Sequence, residues 1–420
     1  MEQSDHLFRR EAGRMVAALT RVFGLHNLQL AEDVVQDAFC RALEIWKQRG
    51  MPENPSAWLM RTARNRAIDV LRRERTARTF APEYGRLLET EWTLAHAVAE
   101  IFETTDIRDD RLRMMFSCCQ SALPETAQVM LVLALVGGFG VREIAAAFVS
   151  SHAAVEKRLT RAKHTLKESV SLFDIADRAD FEHRLPAVQR ALYLIFNEGY
   201  HGSSPRAAVR SDLCHEAIRL TRLLADHPLA AEPSTHALLA LMYLDAARLP
   251  ARLDPSGNLT SLFDQDRSRW NRAMIDEGIE WLERSATGPA MTRYHVEAAI
   301  AAEHARAPSV EQTNWSAIVA LYGTLMRIAP SPIVALNRAV AIAQRDGPES
   351  GLVAIDAIEG HEKLETYPFY HAARAELELR RGAGATARSH FTAAIAVARN
   401  PEERRFYEKR LARCEKATLV

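Results

Sequence analysis

Seven arginines lie between residues 61 and 78 (Arg61, Arg64, Arg66, Arg72, Arg73, Arg75 and Arg78) against only Asp69 and Glu74, a local balance of +5. A second run, from His152 to Glu168, sets Lys157, Arg158, Arg161, Lys163 and Lys167 against Glu156 and Glu168, a balance of +3. Cationic side chains clustered in this way neutralise phosphates, so the chemistry on offer is non-covalent binding of a nucleic-acid backbone, the alternative being an arginine-rich helix face that is simply solvated. Covalent chemistry finds little support. The chain has no GxxxxGK[ST] loop, and its nearest approach to HExxH, His215-Glu216-Ala217-Ile218-Arg219, puts Arg where the second metal ligand would stand. The adjacent Cys118 and Cys119 lack a clustered His and read as buried thiols, and Cys40, Cys214 and Cys414 form no CxxC pair. A polar segment, Phe196-Asn197-Glu198-Gly199-Tyr200-His201-Gly202, reads as a helix end with a capping glycine, the alternative being the lining of a ligand pocket. No catalytic residue, metal ligand or cofactor is therefore assigned, and the chain is not expected to be an enzyme.

These residues need elements to hold them. At 100° per residue Arg61, Arg64, Arg72 and Arg75 fall within an arc of about 80°, suited to following one phosphate backbone. Ile68 shares that arc. The arginine helix follows a Pro-rich turn, Met51-Pro52-Glu53-Asn54-Pro55, with Ser56 as its candidate N-cap. Before it, Leu30 to Gln48 places Ala31, Val34, Val35, Ala38, Phe39, Ala42, Leu43 and Trp46 on one helical face, leaving Glu32, Asp33, Gln36, Asp37, Arg41 and Glu44 on the other. The third arrangement is a helix-turn-helix. Gln128 to Val136 is an apolar helix, Gly137 to Gly140 a turn, Val141 to Phe148 a short helix, Val149-Ser150-Ser151 a tight connection, and His152 to Ser169 the second long helix. Within that last helix Val155, Leu159, Ala162 and Leu166 lie within about 60° and form the buried face. Opposite them stand Ala153, Lys157, Thr160, Arg161 and His164, small near the N-terminus and basic beyond, as entry into a major groove requires.

The whole chain has 420 residues, enough for two to four domains, with 48% hydrophobic and 26% charged residues. Lys plus Arg equals Asp plus Glu at 54 each, so the basic runs are balanced by acid elsewhere and a uniformly basic binder is excluded. Ala, Leu, Arg and Glu dominate over β-branched runs, which predicts an all-α fold. Residues 79 to 107, with Pro82 and a short helix over Trp92 to Phe102, read as a connector. Toward the C-terminus a repeat emerges. Pro332 opens a helix pair with a turn at Asp346-Gly347-Pro348, and Pro368 opens another with a turn at Arg381-Gly382-Ala383; Ala339 to Ala373 and Gly347 to Gly382 are spaced by 34 and 35, a tetratricopeptide-like period. No signal-peptide pattern and no apolar run of bilayer length is present, so a cytoplasmic protein without membrane insertion is expected.

In this order the three arrangements resemble an extracytoplasmic-function sigma factor of the sigma-70 family. Ala31-Glu32-Asp33-Val34-Val35-Gln36-Asp37-Ala38-Phe39 is similar to one signature of that family, Trp58-Leu59 through Ala63-Arg64-Asn65 with Asp69 and Arg72-Arg73 to a second, and Glu143-Ile144-Ala145 with Ala154 to Lys163 to its promoter-reading helix-turn-helix. Leu194 to Tyr200 and the repeat-like tail resemble a long subgroup with a helical C-terminal extension. Two departures stand out: Val149 where many such turns have Gly, and Glu156 in the reading helix. The resemblance implies region 2 over residues 1–78, a linker over 79–107, region 4 over 108–172, a helical extension over 173–310 and tetratricopeptide-like repeats over 311–420.

It implies further that Asp33, Gln36 and Asp37 dock on the clamp helices of core RNA polymerase, with the flap as a second contact. Residues 50 to 55 would hold a flipped base of the −10 element, which Asn65 engages with Arg61, Arg64, Arg72 and Arg75. Ala153, Ala154, Lys157, Arg158 and Arg161 would read the −35 element. The C-terminal body would regulate the factor in cis, with a protein regulator as its candidate partner. The alternatives are a stand-alone helix-turn-helix regulator with a sensing helical body, and a repeat scaffold.

Overall fold

In the computed structural model the described residues are 2–24, 27–78, 109–148, 150–168, 178–202 and 208–417; among them the fold is all-α, with no strand and one isolated β-bridge between Leu253 and Leu259. The connector expected over 79–107, its helix over Trp92 to Phe102, and Val149 lie outside the described residues. The chain divides into two compact units, Met1–Leu194 and Ile195–Val420.

The first unit contains α1 (Glu2–Phe23), α2 (Leu28–Arg49), α3 (Pro55–Arg78), α4 (Asp110–Cys118), α5 (Glu125–Leu135), α6 (Val141–Ala147) and α7 (His152–Glu168); α8 (Arg178–Tyr200) runs across the division. At its centre is α5, whose stretch Val129 to Leu133 is wholly buried, as an apolar run without an amphipathic period demands. Helix α1 packs against the end of α5. Gly13 permits that approach: a Cβ there would lie 2.2 Å from the Val136 carbonyl oxygen. Asp109 caps α4, its side chain accepting from the Arg111 and Leu112 amides at 2.9 and 3.1 Å. The first part of α8 closes over α4, with Phe181 stacked on Phe116 at 4.5 Å and Arg184 Nη1 donating to the Phe116 carbonyl at 3.2 Å. Cys118 and Cys119 are buried free thiols, and burial, its effect aided by the nearby Glu32, pushes Cys118 up to about 12.

The second unit is built of helical pairs: α9 (Ser211–Ala225), α10 (Pro233–Ala246), the short α11 (Leu249–Arg252), α12 (Arg272–Ser285), α13 (Arg293–Arg306), α14 (Trp315–Ile328), α15 (Pro332–Asp346), α16 (Pro348–Asp356), α17 (Pro368–Arg380), α18 (Gly384–Ala396) and α19 (Pro401–Ala417). Proline opens α15 and α17, where its missing N–H costs nothing. Gly347 and Gly382 make the two turns with φ of 97° and 85°. Leu336, Ala339 and Ala343 of α15 share one core with Leu352 and Ile355 of α16 and Leu377 of α17. The helix end expected within Phe196 to Gly202 falls at Tyr200, with Gly199 inside the helix. Helix α8 continues to Tyr200, and a Cβ on Gly199 would meet Cys214 Sγ at 2.8 Å and the Arg210 carbonyl at 2.9 Å, so this glycine serves close approach to α9.

Candidate nucleic-acid interface

Helix α2 buries Leu28, Ala31, Val34, Val35, Ala38 and Ala42 and leaves Asp33, Gln36 and Asp37 exposed in one stripe. The apolar face expected from the sequence is shorter than its periodicity: Phe39 and Trp46 are half-buried and Leu43 is 48% exposed. Past Ala42 no residue of α2 is fully buried, and Leu43 and Ile45 meet solvent. Trp46 then packs edge-on against Trp58 of α3 at 5.5 Å, clamping the α2–α3 hairpin near its turn. Gly50, with φ of 79°, ends α2. The cap of α3 is Asn54 rather than Ser56. Its side-chain oxygen accepts from the Ala57 amide at 3.0 Å, with Pro55 in the first helical position.

On α3, Leu59, Ala63 and Ala67 form a fully buried ridge, which turns Arg61, Arg64 and Asn65 to solvent. Ile68, on the arginine arc in the sequence reading, is half-buried. The backbone of Arg72 and Arg75 continues the helix; their side chains lie outside the described residues. Arg66 reaches back to α2, its Nε donating to Asp37 Oδ2 at 3.2 Å. The acidic stripe and the arginine helix thus flank one another on a single hairpin.

The helix-turn-helix spans α5 to α7. After α5 the turn passes through Gly138, with φ of 66°, and the Phe139 amide donates to the Leu133 carbonyl at 3.0 Å. Glu143 caps α6, its Oε2 accepting from the Gly140 amide at 2.8 Å, while Ile144 and Ala145 behind it are buried. Ser151 opens α7, its hydroxyl accepting from the Ala154 amide at 3.3 Å. Val155, Leu159, Ala162 and Leu166 are buried, and Ala153, Lys157, Arg158, Thr160, Arg161 and His164 are exposed; Ala154 is half-buried beside the cap. Glu156, the acidic departure in this helix, is exposed.

One pairing has no signal in the sequence. Lys163 Nζ of α7 donates to both carboxylate oxygens of Glu32 on α2, at 2.6 and 2.9 Å, joining the helix-turn-helix to the acidic helix. Both groups were visible as charges on their own helices, and nothing along the chain pairs positions 131 residues apart. Among the described residues no group of three or more His, Cys, Asp or Glu can hold a metal ion, and no helix is long and apolar enough to cross a membrane. The near-HExxH segment is an ordinary helix surface on which Glu216 pairs with Arg219 at 2.7 Å.

Residues 7–77 match the model of sigma-70 region 2, and residues 184–286 match a family of unknown function, DUF6596. An uncharacterised protein of Rhizobium meliloti, R00370, is 41% identical over 396 residues, 94% of this chain and 92% of its own. A probable RNA polymerase sigma factor, RfaY, of Xanthomonas campestris pv. campestris is 29% identical over 35% of this chain and 36% of its own. The ECF RNA polymerase sigma factor SigK of a Mycobacterium species is 23% identical over 40% of this chain and 82% of its own. No solved structure matches. The chain belongs to the family it shares over nearly its full length with the Rhizobium protein, and its N-terminal region 2 makes it a sigma-70 family factor of RNA polymerase.

Proposed function

We propose that this sigma factor directs initiation at a two-element promoter and is regulated in cis by its C-terminal body. The single observation that carries the reading is the α2–α3 hairpin, which sets an exposed acidic stripe beside an exposed arginine face. Asp33, Gln36 and Asp37 dock on the polymerase clamp helices. Arg61, Arg64 and Asn65, with Arg72 and Arg75 further along the helix, engage the −10 DNA next to the loop of residues 50 to 55, and α7 reads the −35 element through Ala153, Ala154, Lys157, Arg158 and Arg161 while its domain rests on the flap. The polymerase supplies the covalent chemistry, and the protein acts in the cytoplasm. Affinity for duplex DNA comes largely from polymerase, consistent with a chain of zero net charge.

The tetratricopeptide-like helical pairs from Pro332 onward suit protein recognition, which makes a protein regulator the partner of the second unit. The test is in vitro transcription with sigma-free core polymerase, run with the full chain and with a chain ending at Leu194. The full chain is expected to bind core and start transcription at discrete promoters, and the shortened chain to differ in activity. Failure to bind core, or duplex DNA binding that core does not enhance, would replace this reading with the stand-alone regulator; equal activity of the two chains would remove the regulatory role.

A further inference from the structure

The second unit keeps an arginine cluster in its interior. Arg252 and Arg267 are buried and Arg248 is nearly so, an arrangement that side chains of this kind adopt only where something compensates them. Two aromatic rings hold the three together. The Arg248 guanidinium lies 5.6 Å from the Tyr200 ring centre and 5.7 Å from that of Trp270, Arg252 lies 4.7 Å from Tyr200, and Arg267 lies 5.0 Å from Trp270.

Among the described residues, charge compensation of the cluster is incomplete. Asp245 accepts from Arg248 Nη1 at 3.1 Å. The other two guanidiniums donate to neutral acceptors, with Asp245 acting on Arg252 through space as well. Arg252 Nη2 donates to the Tyr200 carbonyl at 3.0 Å and sits 3.3 Å from His201 Nδ1; Arg267 donates to the His304 and Ala307 carbonyls at 3.0 and 2.6 Å and to Thr313 Oγ1 at 3.1 Å. Glu311 acts on Arg267 from an exposed position. His304, also against Arg248 and Arg267, is held at about 3 by burial first and then by those two cations, so it is neutral and adds no charge.

The cluster also leaves hydrogen-bond donors unused. Arg248 Nε, Arg252 Nε, Trp270 Nε1 and the Tyr200 hydroxyl are buried without a partner. Four unmet donors around three cations is an unusual concentration, since buried polar groups are nearly always paired. What satisfies such a set is a ligand that only accepts hydrogen bonds and carries negative charge.

We propose that Arg248, Arg252 and Arg267, with Tyr200 and Trp270, form a binding site in the second unit for a small oxyanion, the carboxylate or phosphate group of a metabolite. Guanidinium forks fit both groups, and the Tyr200 hydroxyl and Trp270 Nε1 add two further donors to the set. This occupancy belongs to the second unit and is independent of how the first unit reads DNA.

Calorimetric titration of the full chain, at low ionic strength in chloride, separates the two sources: one arm uses inorganic phosphate, the other succinate. Saturable one-to-one binding in either arm is expected, and the arm that responds names the oxyanion. Arg248→Gln should weaken it beyond detection. Tyr200→Phe removes a single donor from a residue that stays packed, and should weaken it roughly ten-fold while leaving the helical circular-dichroism spectrum unchanged. No saturable heat in either arm with the unaltered chain would overturn the site, as would binding that Tyr200→Phe leaves at full strength.

Discussion

Arg161 shows how much of a residue's part can be settled by its surroundings. It is exposed on α7, one turn beyond Lys157, and the buried residues Leu159 and Ala162 on either side fix the face it presents. In the function proposed above, an arginine so placed lies past the N-terminal residues that would enter the groove and contributes to −35 recognition through phosphate. Arg161→Ala is therefore expected to weaken polymerase-dependent binding to all cognate promoters alike and to lower the slope of log affinity against log salt by about 1. Filter binding across a salt series measures both; an unchanged slope, or a loss confined to one promoter sequence, removes the phosphate assignment. At this scale the sequence was legible wherever a side chain's fate follows from its own helix. All four residues expected on the buried face of α7 are buried. Leu43 escaped because burial needs a neighbour, and periodicity says nothing about where the neighbour ends. The interior arginines escaped for the opposite reason: an arginine reads as surface until its partners are seen.

Elements were legible to the extent that their ends carry a chemical signature. Prolines opened α15 and α17 where expected, and the turns fell on Gly347 and Gly382. At α3 two capping residues compete within three positions, Asn54 and Ser56, separated by Pro55. Proline decides between them, because its fixed φ and missing N–H suit the first helical position, which makes the preceding residue the cap. The consequence is measurable. Asn54→Ala loses the bond to the Ala57 amide and should destabilise the first unit by about 1 kcal/mol, whereas Ser56→Ala should change stability by a few tenths at most. Urea unfolding followed at the Trp46–Trp58 pair reports on this hairpin; equal effects of the two substitutions would return the cap to Ser56.

At the scale of the molecule, the region 2 helices and the helix-turn-helix read along the chain as two bodies on a connector, yet within the first unit they share packing. Helix α1 packs on α4 and α5, and two of the contacts that join the halves differ in physical kind. Glu32–Lys163 is an ion pair whose side chains remain about a third exposed, at 31% and 35%, so solvent screens it and it contributes about 1 kcal/mol or less. Gly13 against Val136 is a backbone contact in a close-packed core, where a methyl group 2.2 Å from a carbonyl oxygen forces the helices apart. Gly13→Ala should therefore cost about 2 kcal/mol or more, and the coupling energy of a Glu32→Gln, Lys163→Gln double-mutant cycle should stay below about 1 kcal/mol. Packing of α1 on α4 and α5 would then be what sets the two halves of the unit together, and the ion pair a contact that opens at little cost if, as proposed above, α2 docks on polymerase and α7 on DNA. Chemical unfolding of the four variants decides the matter. A coupling above 2 kcal/mol beside a neutral Gly13→Ala would reverse the order and make the ion pair the latch.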